Sequence, residues 1–136
     1  MKAFALFLAL ALPAASQEAP DPGALIGYTE AEGGSLRFLD KLTSDTGDVS
    51  LSRGQAAKFG RLVVRLDGCR YPTENPASDA AAHLTIIEEV TEAQLFSGWM
   101  LASSPALSAL DHPRYDVWVL ACILPEAPAE EAVPEE

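Results

Sequence analysis

Phe96–Cys122, FSGWMLASSPALSALDHPRYDVWVLAC, decides how the chain is read. It holds both tryptophans, one of the two cysteines and one of the two histidines, and only Asp111, Arg114 and Asp116 carry charge in it. Ser103-Ser104-Pro105 and His112-Pro113 interrupt the apolar run, so it reads as core strand, tight connection, core strand. The first strand runs Leu95–Leu101 and the second Tyr115–Ile123. In the second, Trp118, Leu120 and Cys122 share one face and Tyr115, Val117, Val119 and Ala121 the other. Apolar residues on both faces imply a strand buried on both sides, in the middle of the fold. Between the strands, Ser104 is placed to cap one or two helical turns over Ala106–Leu110, with Pro105 in the first turn and Pro113 as the stop.

Outward from this stretch, period-2 alternation dominates. Ser35–Thr43 alternates through Leu36 and Phe38; Asp45-Thr46-Gly47-Asp48 is turn chemistry, and Val49 and Leu51 mark a return strand. Arg53-Gly54 and Gly60-Arg61 are further turns flanking Gln55–Phe59. Leu62–Tyr71 sets Leu62, Val64 and Leu66 on one face until Gly68 breaks the alternation. A bulge there returns Cys69 to the face of Leu66. Pro72–Asp79 is a polar loop. Ala82, Leu84 and Ile86 then mark a strand with His83 facing solvent and Glu88-Glu89 at its exposed end. The expected fold is all-β: a small sandwich or partly open barrel of seven to eight short strands with one short helix.

The ends read differently. Residues 1–16 have a basic start at Lys2, an apolar run Ala3–Leu12, and small residues Ala14-Ala15-Ser16 before Gln17, the layout of a cleaved secretory signal peptide. Ten apolar residues are too few to span a hydrocarbon core, which needs about 20. Residues 17–34 form an extended or disordered lead-in rich in Pro, Gly and acids, residues 35–123 the β-domain, and residues 124–136 a disordered acidic tail. An exported chain of this kind belongs in the periplasm.

Charge follows the same division. Of a formal net charge of −11, residues 17–35 hold four acids and no base, and residues 124–136 five acids and no base. The body between them carries eight bases and eleven acids, a net of −3. That balance argues against nucleic acid, which needs clustered Lys and Arg, and against docking on anionic lipid by charge. Two cysteines in an exported chain favour one intramolecular disulfide, Cys69–Cys122, over two free thiols or a bond to another chain. Neither cysteine has a thiol or histidine at ligand spacing, so no metal is implied, and no phosphate loop or dinucleotide fingerprint implies a cofactor.

Candidate chemistry concentrates in the opening stretch. Ser103 or Ser104 with His112 and Asp111 suggests a small serine hydrolase, but no Gly-x-Ser-x-Gly elbow is present, and adjacent Asp111 and His112 diverge in extended chain. Glu88 and Glu89 point to opposite faces, which does not suit a glycosidase pair. Trp99, between Gly98 and Met100, is either a core residue or an aromatic platform for a sugar or peptide.

Two blocks, FGRLVVRLDGCRY (Phe59–Tyr71) and Phe96–Cys122, resemble the small exported alphaproteobacterial proteins grouped as domain of unknown function 2155, and GSLRFLD (Gly34–Asp40) and Lys41 with the turn that follows fit the same pattern. The resemblance covers Gly34–Cys122. It implies a signal peptide, a cysteine in each block and no assigned activity. It also implies a genomic setting near a small accessory subunit of respiratory complex I, which makes an accessory factor of that inner-membrane complex an alternative role. The leading expectation is a non-catalytic periplasmic domain that binds a protein partner in the cell envelope. The expected surface is the connection between the two strands, with Trp99, Ser103, Pro105 and His112, because loops on a rigid scaffold commonly carry recognition.

Overall fold

The computed structural model describes residues 27–125. The expected signal peptide (1–16), residues 17–26 of the expected lead-in and residues 126–136 of the expected tail lie outside the described residues. Among the described residues eight strands form: β1 (Tyr28–Ala31), β2 (Gly33–Asp40), β3 (Thr46–Ser52), β4 (Ala56–Phe59), β5 (Leu62–Pro72), β6 (Ala81–Glu88), β7 (Gln94–Leu101) and β8 (Tyr115–Cys122). They make two antiparallel sheets, one in the order β1-β5-β6-β7 with β4 also on β5, the other in the order β3-β2-β8. Among the described residues strand structure is already present at Tyr28, ahead of the start expected at Ser35. The polar segment Tyr28–Ala31 pairs with Pro72–Cys69 of β5, a position its short mixed sequence does not announce.

The two sheets face each other through the alternating residues of their strands. Leu36, Leu51 and Val119 from one sheet meet Leu62, Val64, Leu66, Leu84, Ile86 and Met100 from the other, all essentially without solvent contact. Burial of each such side chain stabilises by about 1.5 to 3 kcal/mol. At one end Phe59 of β4 stacks on Phe38 of β2 at 4.4 Å and meets Tyr115 of β8 edge-on at 5.9 Å. Gly60, with φ of 55°, lies under Tyr115, where any side chain would collide with the phenol.

Two register slips shape the interior. In β5, Leu66 faces Leu84 and Gly68 faces His83, so Asp67 is the extra residue of a bulge, and Cys69 turns inward as the alternation break at Gly68 suggests. In β8, Leu36 faces Val119 and Ser35 faces Ala121, so Leu120 is extra and Cys122 also turns inward. Cys69 and Cys122 are disulfide-bonded across the two sheets. Gly34 leaves the room they need, since a Cβ there would stand 3.0 Å from the Cys69 sulfur.

Several local expectations are corrected. β8 is not a central strand buried on both faces. It ends its sheet, with Val117 and Val119 buried and Trp118 and Leu120 half-buried on the outer side. Trp118 is apolar yet outward because Pro105, Ala106, Ala109 and Leu110 of the preceding connection border it, a cover that strand periodicity cannot foresee. β7 likewise ends its sheet. The turn expected at Asp45–Asp48 lies instead at Lys41–Asp45. Asp40 accepts the Leu42 and Thr43 N–H groups at 3.0 and 3.4 Å, and Ser44 adopts φ of 66°. Gly47 and Asp48 belong to β3, where Asp48 takes two hydrogen bonds from Arg37 across the strand pair. The expected helix reduces to a 3-10 turn at Pro105–Leu107, and the Ser104 side chain makes no capping bond. Glu88, expected as a solvated strand end, closes the β6–β7 turn by accepting the Val90 and Thr91 N–H groups at 3.0 and 2.6 Å.

Candidate functional site: the outer face of β5, β6 and β7

The residues that bury Leu84, Ile86 and Met100 place their odd-numbered neighbours on the opposite side of the sheet. There His83 of β6 stands directly across from Trp99 of β7, and Gly68 of β5 across from His83. The Asp67 bulge turns a carboxylate onto this face. Its Oδ2 accepts Thr85 Oγ1–H at 2.6 Å and lies 2.8 Å from His83 Nδ1, while Oδ1 accepts Arg65 Nε–H at 2.6 Å. Partial burial works against the charge of Asp67. The bonds from Thr85, Arg65 and His83 outweigh it, and the carboxyl is held below its ordinary range. An ionised carboxylate only accepts, so Nδ1 of His83 carries the proton in this bond.

Beside this network the His83 and Trp99 rings meet edge to face at 5.3 Å, and the Arg70 guanidinium lies over the Trp99 ring at 5.3 Å. Arg70 pairs in register with Ala81, whose small side chain opens the path from β5 towards β7. The result is a flat surface with an aromatic ring, a guanidinium, an oriented imidazole and a fixed carboxylate. The Thr85 hydroxyl donates to Asp67. Such a surface is suited to recognising a partner by stacking and hydrogen bonding.

The four residues expected to form one surface have separate surroundings. Trp99 belongs to the face just described. Ser103 donates its hydroxyl to Asp79 Oδ2 at 2.8 Å and its N–H to Oδ1 at 3.0 Å. Pro105 opens the 3-10 turn and borders a shallow apolar depression with Leu110 and Trp118. His112 Nδ1 accepts the N–H groups of Arg114 and Tyr115 at 3.0 and 3.1 Å, which makes His112 the lead-in to β8. Among the described residues no hydrogen bond joins Ser103 or Ser104 to His112. Asp67, Arg65, Arg70 and Thr85 were outside the expected set. Arg65 and Asp67 on β5 and Thr85 on β6 alternate with apolar residues, which is a readable signal, whereas Arg70 reaches this face only through the bulge at Asp67.

At the same end as His112, Arg114 grips Asp40 through Nη2 at 2.8 Å and Nε at 3.2 Å. That grip, with the Leu42 and Thr43 N–H bonds, lowers the Asp40 carboxyl to about 2. Glu88 is lowered to about 2 as well, first by the Thr91 N–H and then by Arg61.

Compared with known families, residues 34–122 match one described as an uncharacterized protein conserved in bacteria (DUF2155). The chain belongs to this family. The matched region contains every strand from Gly34 onward, both bulges and both cysteines. A relative is the uncharacterized protein RP359 of Rickettsia prowazekii (strain Madrid E), 29% identical over 92 residues, which are 65% of this chain and 59% of that protein. The chain therefore spans less than two thirds of that relative's length. No solved structure matches. No helix among the described residues is long and apolar enough to cross a membrane.

Proposed function

We propose that this DUF2155 member is an exported, non-catalytic domain that binds a protein partner in the cell envelope, and that the outer face of β5, β6 and β7 is its recognition surface. The observation that carries the reading is the Asp67-centred network beside the Arg70–Trp99 stack. It fixes polar and aromatic groups on a rigid sheet, on the side away from the apolar core. Export is supported by the signal-like residues 1–16 and by a disulfide between the sheets, a bond that persists in oxidising compartments.

Two measurements test this. Alkylation of whole cells followed by fractionation should recover the protein in the periplasmic fraction with both cysteines protected until reduction. Quantitative affinity purification of the tagged protein should then recover a partner that is lost with Trp99→Ala and with Arg70→Ala and retained with Ser103→Ala. Recovery of respiratory complex subunits in that manner would specify an accessory role at the inner membrane. Equal recovery with all three variants would sink the assignment of the surface.

A further inference from the structure

The sheet β3-β2-β8 has an outer face of its own, separate from the partner surface on β5, β6 and β7. Across it Asp48, Arg37 and Trp118 form one row, since Arg37 is in register with Asp48 on one side and with Trp118 on the other. Arg37 holds Asp48 through Nε at 2.7 Å and Nη2 at 2.9 Å, a two-bonded pair that fixes both side chains. These side chains are nonetheless 44% and 50% exposed. Nη1 of Arg37 has no partner among the described residues, and the pair carries no net charge. Trp118 is half-buried at the end of the row. Pro105, Ala106, Ala109 and Leu110 border it on one hollow, and it also lines a wide, shallow hollow with Arg37, Thr46, Gly47 and Asp48. A Cβ built on Gly47 would meet no atom within 4 Å, so the second hollow is open there. The Trp118 indole N–H has no acceptor among the described residues, yet no buried polar side-chain atom among them lacks a partner. This N–H therefore reaches the surface.

We propose that this row binds a neutral glycan chain, with Trp118 against the C–H face of one sugar and the Arg37–Asp48 pair hydrogen-bonded to hydroxyls of the next. Adjacent strands lie about 4.8 Å apart, so the row is about 10 Å long and takes two linked sugar rings. Its chemistry selects this ligand. An indole offers a negative face to polarised C–H groups and a polar N–H at its rim. A guanidinium with donors to spare, beside a carboxylate with spare lone pairs, matches neighbouring hydroxyls that both donate and accept. The cancelled charge of the pair gives an anion nothing to neutralise, and one aromatic side chain among polar ones is too little apolar surface for a lipid or an amphipathic helix. Because Arg37 and Asp48 already fix each other, binding costs little side-chain freedom.

The full mature protein, disulfide intact, is titrated with cellohexaose and with chitohexaose and followed by nitrogen–proton NMR. At least one oligosaccharide should bind saturably, and the one that binds tells whether N-acetyl groups are required. Shifts should centre on the Trp118 indole N–H, the Arg37 Nε–H and the Asp48 amide, while the Trp99 indole stays in place. Arg37→Met and Asp48→Asn should each weaken binding about tenfold or more, the worth of one hydrogen bond to a charged group. Trp118→Ala should abolish it. Should that variant fold poorly, the two exposed substitutions on β2 and β3 carry the test alone. Absence of saturable binding of either oligosaccharide into the millimolar range overturns the proposal. So does binding that Arg37→Met and Asp48→Asn leave unchanged, or shifts that centre on Trp99.

Discussion

Cys69 and Cys122 meet because each follows one surplus residue in its strand, Asp67 in β5 and Leu120 in β8. Strict alternation in β8 would put Cys122 with Trp118 on the outer face, and strict alternation in β5 would put Cys69 with Arg65. Each bulge reverses that phase once. The disulfide between the sheets therefore depends on two separate departures from regular strand geometry.

Loss of this bond should be costly. The cysteines are 53 residues apart, and the chain-entropy relation gives about 4 kcal/mol for a loop of that size. Cys69→Ala with Cys122→Ala should lower the urea midpoint accordingly, and reductant should do the same to the wild type only. A double variant as stable as the oxidised wild type would contradict this.

Gly34→Ala should destabilise by about 1 to 3 kcal/mol, the usual cost of forcing extra volume into a packed interior. The added methyl would sit 3.0 Å from the Cys69 sulfur. The same substitution in a Cys69→Ala background should cost clearly less. Equal costs in the two backgrounds would place the strain elsewhere.

Acid should unfold the protein through Asp40 and Glu88. Both carboxyls are lowered to about 2 in the folded chain, from ordinary values of 3.8 and 4.5. A depressed folded value means the unfolded chain binds protons first, so the contribution is complete above the ordinary range and is lost as pH falls towards about 2. Urea titrations across this window should show falling stability, with a shallower slope in Asp40→Asn. A flat profile would remove both groups from the account.

Asp67→Ala should cost about 1 to 3 kcal/mol by leaving Thr85, Arg65 and His83 without their shared acceptor. Nitrogen chemical shifts of His83 should show the loss of the Nδ1–H tautomer preference. Unchanged shifts would mean that Asp67 does not orient the ring.

Much of the fold was legible because its core strands obey one rule. In β2, β5 and β6 every second residue is apolar, and the turns at Arg53-Gly54 and Gly60-Arg61 carry the glycines that positive φ needs. The β5 bulge was legible too, since Gly68 breaks the pattern before a cysteine. The β8 bulge had no such mark: Leu120 is as apolar as its neighbours, so a phase slip looked like a strand buried on both sides. The hairpin after β2 was misplaced because Asp40 and Ser44 make the turn through side-chain bonds and backbone strain, while Gly47-Asp48 imitates turn chemistry inside a strand. The recognition surface was only partly legible. Trp99 stood out by type, but its link to Asp67 and Arg70 exists only once β5, β6 and β7 are set side by side.

The disulfide has one more consequence, topological rather than energetic. It converts residues 69–122 into a covalent ring that contains β6, β7, the Pro72–Asp79 loop and the whole Ala102–Arg114 connection. A protease that cuts anywhere within that ring opens it without releasing a fragment. The nicked molecule stays in one covalent piece until it is reduced.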